Sequence, residues 1–270
     1  MSDSIYAAFV LSIQIFILNL IIYLSAGKQI VIYRLQPYTG TTPETSQPIQ
    51  LLEIGYYTGK GYEAYTDYLA KNPHVELHSM ELYCDNNAKQ HRWYETLIET
   101  NRLHCGDASD YNFLHTTWLQ KMKRSSSTTS NNNDNKNSPA PPLKVVIDDG
   151  SHHSKHMAAS LFFWFPRIEP GGIFVVEDIQ PINIANMFRT HILPQVLKDV
   201  HWCGGTGNKV PLDPLCFPQL QPYLQGVHCE MHICVFVRNN QPSSEPDQIT
   251  STTPSDAFTN AQKCLFGPHE

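Results

Sequence analysis

The sequence predicts an α/β fold, a doubly wound and mostly parallel sheet preceded by an N-terminal apolar helix. Three observations carry this. From Ile49 onward, short apolar runs alternate with stretches of helical periodicity; a glycine-rich turn follows the first run; and carboxylates stand at the ends of the later ones. A chain of 270 residues, 41% of them hydrophobic, is long enough for one sizeable core and short for two.

The elements follow in order. "AAFVLSIQIFILNLIIYLSAG" belongs to a run, Ser4 to Gly27, without a charged residue, and it offers about the 20 apolar residues that a bilayer span requires. Residues 1–27 are read as a hydrophobic membrane anchor, with a cleaved signal peptide and an ordinary packed helix as the other readings. A signal peptide would carry a basic start, whereas the only side-chain charge ahead of the run is Asp3. Lys28 and Arg34 follow the run, which places the rest of the chain in the cytosol by the positive-inside rule; the alternative is a secreted or lumenal chain after signal-peptide cleavage. Residues 28–48, rich in Pro, Thr and Gly toward their end, read as a linker.

The folded domain is expected over 49–238. "IQLLEIG" is a strand, "YEAYTDYLAKN" a helix, "VELHSMEL" a strand and "NNAKQHRWYETLIETN" a helix. "LHCGDASD" ends a third strand and "YNFLHTTWLQKMK" is the next helix. Residues 124–142, "RSSSTTSNNNDNKNSPAPP", cannot bury a core and are expected to be a disordered insertion. The alternation resumes with "LKVVIDDG", the helix "SKHMAASLFFWFPRI", the turn "EPGG" and the strand "IFVVEDI". Gln180 to Leu224 has Pro-broken helical character, "HICVFVRN" is a last strand, and 239–270 is a polar, disordered tail.

A formal net charge of −6 gives no basic footprint for nucleic acid, so a small-molecule partner fits better. The 7 cysteines form no C-x-x-C pair and are read as mostly free thiols in a reducing compartment. Strand alternation in "HCEMHICVFV" would bury Cys229 and expose or half-bury Cys234.

"LLEIGYYTGKGY" places Glu53 at a strand end and glycines at Gly55, Gly59 and Gly61. Such a turn lets backbone approach a ligand and exposes helix N-terminal N–H groups to it. The spacing differs from the G-x-G-x-x-G of nicotinamide sites. Glu81 ends the second strand, where a carboxylate can accept both ribose hydroxyls, and Asp107 ends the third, where it can face an adenine amino group. Each acid alone reads as a surface carboxylate or a cap; together they outline an adenosine site.

These motifs resemble the class I S-adenosylmethionine-dependent methyltransferases, over about Ile49 to Arg238. The resemblance implies a Rossmann-like sheet of seven strands with an antiparallel last strand. It implies that Glu53, Gly55, Gly59 and Gly61 hold the amino-acid part of the cofactor, that Glu81 holds its ribose and Asp107 its adenine, and that Asp148 lies on the cofactor side.

"KVVIDDGSHH" ends the fourth strand and "IFVVEDI" the fifth, so Asp148, Asp149, Glu177 and Asp178 would project four carboxylates into one crevice. Such a like-charge cluster calls for a cation, and hard oxygen ligands favour Mg²⁺ or Mn²⁺ over zinc. In the other reading the two aspartates cap the following helix and Glu177 and Asp178 meet solvent. The motif pair is similar to that of metal-dependent sugar O-methyltransferases acting on macrolide glycosides, and to rhamnosyl O-methyltransferase and cephalosporin hydroxylase-like sequences. That resemblance implies Asp149, Glu177 and Asp178 as metal ligands and His152 as general base. An alcohol has a pKa of about 15.7, which a chelating metal lowers sharply, and an imidazole, ordinarily near about 6.5, can then take its proton. His152 and His156, four apart, could instead chelate zinc. His153 reads as a surface residue.

The leading expectation is an S-adenosylmethionine- and Mg²⁺-dependent O-methyltransferase acting on a hydroxyl of a sugar or other polyol. The alternatives are a membrane-tethered S-adenosylmethionine-binding protein without turnover, and a hydroxylase-like enzyme, which would need iron on two His and one carboxylate.

Overall fold

The computed structural model describes residues 20–25, 28–33, 48–69, 75–123, 140–180, 185–201, 217 and 219–244. The central sheet holds strands β3 (Ile49–Ile54), β4 (Val75–Glu81), β5 (Leu103–Cys105), β6 (Leu143–Asp148), β7 (Ile173–Val176), β8 (Leu224–Glu230) and β9 (Ile233–Arg238), in the order β5-β4-β3-β6-β7-β9-β8. Strands β3 to β7 pair in parallel, and β9 runs antiparallel to both neighbours. This is the seven-stranded, Rossmann-like arrangement with an antiparallel last strand that the family resemblance implies.

Both faces of the sheet are covered. Leu52, Ile54, Val146, Phe174 and Phe236 bury on one side, Leu51, Val145, Ile147, Val175 and Val235 on the other. Strands buried on two faces read as continuous apolar runs, which is why β6 and β7 stand out in the sequence. Helix α1 (Lys60–Leu69) follows β3 and sends Tyr65 into the second cluster. Helix α2 (Tyr94–Glu99) is shorter than its sequence suggests, and α3 (Tyr111–Thr117) runs into a π-helical turn, Trp118–Met122. Helix α4 (Ser154–Trp164) buries every residue from Met157 to Trp164. A helix apolar on all sides belongs inside a core. Here Phe163 meets Tyr111 edge to face at 4.8 Å and Trp164 meets Trp118 at 6.0 Å; such pairs add about 0.5–1.5 kcal/mol each to the burial term. Helix α5 is Leu193–His201.

Two expectations are corrected. The end of the apolar N-terminal run is not helical: β1 (Leu20–Ser25) pairs antiparallel with β2 (Lys28–Tyr33), the latter inside the segment read as linker. The β-branched and aromatic content of "LIIY" and "IVIY" fits a pleated pairing better than a helix, which charge and hydropathy alone do not reveal. The rest of the proposed anchor, residues 1–19, lies outside the described residues, as do 124–139 of the insertion and 245–270 of the tail. Among the described residues, no helix is long and apolar enough to cross a membrane.

Nor are the cysteines all free. Cys84 bonds to Cys105, and Cys229 to Cys234. The second pair sits at directly opposed positions of the β8–β9 hairpin, and it is Cys234 that is buried and Cys229 that is exposed, the reverse of the expectation. Strand β8 escaped the sequence because it is a largely exposed edge strand carrying Gly226, so no apolar run marks it.

Candidate active site

The carboxyl ends of β3, β4, β5, β6 and β7 open onto one cleft of about 1290 Å³. It straddles the point where the strand order reverses, between β3 and β6, the usual ligand crevice of an open α/β sheet.

One wall is the turn after β3. Gly55 has φ +101°, and a Cβ on it would overlap the backbone carbonyl of Asp149. The amide of Asp149 in turn donates to the carbonyl of Ile54 at 2.9 Å. The β3 turn and the β6 loop are thus in backbone contact, and only glycine permits it. Gly61 opens α1, where a side chain would strike the Glu53 carboxyl. Gly59 differs from the expectation: it does not line the cleft, and the space its missing side chain leaves is filled by the His91 ring.

Behind this turn lies a buried polar layer. Glu53, 2% exposed, accepts from Ser79 Oγ at 2.7 Å. Burial, with added repulsion from Asp149 and Glu81, pushes its carboxyl up to about 8. It is therefore mostly protonated at pH 7, and a cationic ligand group beside it would ionise it. Tyr56 bonds His91 Nδ1 at 2.5 Å. Burial raises the Tyr56 hydroxyl above its ordinary range, so the phenol stays neutral, and His91 Nε2 faces Glu63 at 3.4 Å. His91 has no sequence signal, since it is brought to the turn from 32 positions past Gly59 only by the fold.

Glu81 ends β4 and accepts from the amides of Tyr57 at 2.7 Å and Tyr83 at 3.1 Å, so one carboxylate ties the glycine turn to the β4 turn. Asp107, exposed after β5, accepts from the amide and hydroxyl of Ser109, both at 2.8 Å. Both acids line the cleft.

The opposite wall comes from β6 and β7. Asp148 is buried, accepts from the Gly150 amide at 3.3 Å, and is pushed up to about 6 by burial. The N-cap of α4 is His153, so neither Asp148 nor Asp149 caps that helix. His152 and Asp178 both adopt left-handed backbone, with φ +56° and +53°, conformations unusual outside glycine. These bends bring His152 Nε2 to 3.9 Å from Asp149 Oδ1 and 3.7 Å from Asp178 Oδ2. One donor atom from each of the three residues lies within 4.8 Å of the others, a spacing compatible with ligands around one hard cation. Glu177 lines the same cleft but is buried and stands outside that trio. His156 is held by Ser151 Oγ at 2.7 Å rather than joined to His152, and His153 is exposed. One imidazole with two carboxylates is not the two-His, one-carboxylate set that the hydroxylase alternative needs.

Residues 52–179, from β3 to just past β7, match the family described as a methyltransferase domain. This segment is a methyltransferase domain. The expectation of a methyltransferase is borne out over this segment. None of the curated proteins compared with the chain matches it. Among solved structures, it is similar to the MycE methyltransferase of the mycinamycin biosynthetic pathway in complex with Mg and SAH, at 18% identity over 79% of this chain and 51% of that one, TM-score 0.48. The same enzyme with Mg, SAH and mycinamycin VI gives 18% identity, 79% and 50% coverage, and a TM-score of 0.47. An O-methyltransferase family protein from Burkholderia thailandensis gives 10% identity, 72% and 52% coverage, and a TM-score of 0.32. The chain with this methyltransferase domain spans about half the length of the structures it matches.

Proposed function

We propose that the chain transfers the methyl group of S-adenosylmethionine to a hydroxyl of a sugar or other polyol-like small molecule, assisted by Mg²⁺ or Mn²⁺. The observation that carries this is the convergence of Asp149, His152 and Asp178 within 4.8 Å, in the same cleft as the glycine turn. The cleft is larger than the roughly 300–1,000 Å³ of a typical one-ligand site, so a cofactor and an acceptor can share it.

Each side chain has a role in this reading. Gly55 and Gly61 let the cofactor approach the backbone, Glu53 takes up its ammonium, and Glu81 keeps lone pairs for the ribose beyond the two amides it already holds. Asp107 faces the adenine. Asp149 and Asp178 hold the cation, with Glu177 beside them. When bound, S-adenosylmethionine supplies an electrophilic methyl on a sulfonium and the cation acidifies a neighbouring hydroxyl. His152 takes the hydroxyl proton at Nε2, and the resulting imidazolium faces the carboxylates of Asp149 and Asp178 at 3.9 and 3.7 Å. The remaining catalysis is positioning, which a shared backbone junction between the two walls favours.

The test is chelation. The chain is incubated with S-adenosylmethionine and a panel of glycosides, and products are read by mass. The expected result is the gain of a methylene mass unit, lost in EDTA and regained with Mg²⁺ or Mn²⁺. Full transfer in EDTA removes the metal from the mechanism, and cofactor binding without any transfer favours the binding-protein alternative.

We also propose, for its location, the secreted or lumenal alternative over the cytosolic one. Two disulfides persist more readily in an oxidising compartment. In sealed microsomes the domain is then expected to resist protease until detergent is added; digestion without detergent restores the cytosolic reading.

A further inference from the structure

The disulfide Cys84–Cys105 lies where the proposed adenosine contacts are made. Strand β5 is three residues long and forms the edge of the sheet, with Glu81 opposite Cys105 in its pairing with β4. Beyond that pair the amide of Gly106 donates to the Glu81 carbonyl at 2.9 Å, and the two chains part. Cys84 lies three residues after Glu81, and Cys105 two before Asp107. The covalent bond therefore closes the end of a short strand pairing, within three residues of each of the two acids along the sequence. Its halves differ in access. Cys84 is buried with Tyr56, Ala88, Leu97 and Leu103, whereas Cys105 is exposed.

We propose that this disulfide is a positioning element of the cofactor site, and that a dithiol reductant weakens cofactor binding by opening it. The inference rests on the adenosine reading given above. With the bond intact, Glu81 and Asp107 sit at a fixed separation, and Glu81 carries the glycine turn with it through the Tyr57 amide. With the bond open, the β4 turn and the β5 end must be ordered by the ligand itself. A reductant thiolate attacks the exposed Cys105 sulfur, breaks the S–S bond and releases Cys84 as a thiol. The second thiol of the reductant then displaces Cys105. Two electrons and two protons pass to the protein, and the reductant leaves as a disulfide. The expected loss of affinity is about tenfold, equivalent to ordering roughly one backbone residue on binding.

The experiment measures S-adenosylhomocysteine binding to the full chain by calorimetry, with the disulfide state read by thiol titration. Four samples are compared: oxidised wild type, wild type treated with dithiothreitol, Cys84→Ser/Cys105→Ser, and Cys229→Ser/Cys234→Ser. Binding about tenfold weaker in the second and third, unchanged in the fourth, supports the proposal, as does a donor KM that rises while kcat holds. Equal affinity with the Cys84–Cys105 bond absent overturns it, and so does a fall in kcat at saturating donor with affinity intact, which marks a purely structural bond. If the Cys84→Ser/Cys105→Ser chain does not fold, titration of wild type with dithiothreitol below its melting temperature decides between the same two outcomes. Oxidised wild type that binds no S-adenosylhomocysteine at all overturns the adenosine reading itself and the inference with it.

Discussion

The His152→Ala enzyme is expected to turn over about 10²- to 10⁴-fold more slowly than wild type, the range for loss of a general base, while its affinities for Mg²⁺ and for S-adenosylhomocysteine stay within about twofold. The geometry makes this a demanding expectation. His152 Nε2 stands 3.9 and 3.7 Å from the carboxylates of Asp149 and Asp178, so a ligand role and a base role are both within its reach. The two roles separate on metal affinity. Loss of Mg²⁺ binding with His152→Ala makes the imidazole a ligand and removes the base from the mechanism. Because residue 152 has φ +56°, Ala also disturbs the loop, whereas Asn tolerates this backbone. His152→Asn therefore serves as the companion variant. It should lose turnover to the same extent with less loss of stability, and added imidazole should restore part of the activity of His152→Ala.

A second large effect is expected at Gly55, through the backbone rather than through chemistry. Any Cβ there meets the Asp149 carbonyl, the adjacent carbon and Gly150, all backbone, and the residue has φ +101°. Backbone cannot swing aside as a side-chain tip can. Gly55→Ala must therefore separate the β3 turn from the β6 loop, breaking the Asp149-to-Ile54 hydrogen bond of 2.9 Å. Overpacking and left-handed strain each contribute about 1–3 kcal/mol, so a loss of about 2–6 kcal/mol in denaturant unfolding is expected. Activity should fall by 10²-fold or more, since a displacement of about 1 Å at reacting groups has that effect. Gly226→Ala is the control. A Cβ there meets nothing nearer than His228 Nε2 at 3.9 Å, and the change in stability should stay within about 0.5 kcal/mol. Equal behaviour of the two variants would remove the contact between the walls as a determinant of the site.

What the sequence made legible follows the physics of each element. Strands β3, β4, β6 and β7 and the Met157–Trp164 part of helix α4 are largely buried, so they read as mostly apolar runs, and glycine or charge marks where the strands end. The glycine turn, Glu81 and Asp149 lie at such ends, which is why they could be named in advance. Strand β8 faces solvent over most of its length and gives no comparable contrast. The 21-residue separation of Cys84 and Cys105 has no local signature, since their proximity exists only once β5 lies beside β4. The apolar stretch before Lys28 shows the opposite failure. Its pattern is strong, but continuous hydrophobicity has no period, so it cannot separate a span from the strand that Leu20–Ser25 form. Asp149, His152 and Asp178 were each named from the sequence, but that His152 rather than Glu177 completes the trio was not legible: which side chains converge depends on the sign of φ at His152 and Asp178, and composition does not report it.

Those two left-handed residues bear on how the protein can be engineered or can drift. At positions 152 and 178, with φ +56° and +53°, glycine would relieve roughly 1–2 kcal/mol of backbone strain apiece. A selection for heat tolerance alone would therefore reward the replacement of His152 and Asp178, and so would discard the proposed base and one proposed cation ligand. Screens for robust variants of this chain need an activity filter at these two positions from the first round, because here thermal hardening and catalysis pull the sequence in opposite directions.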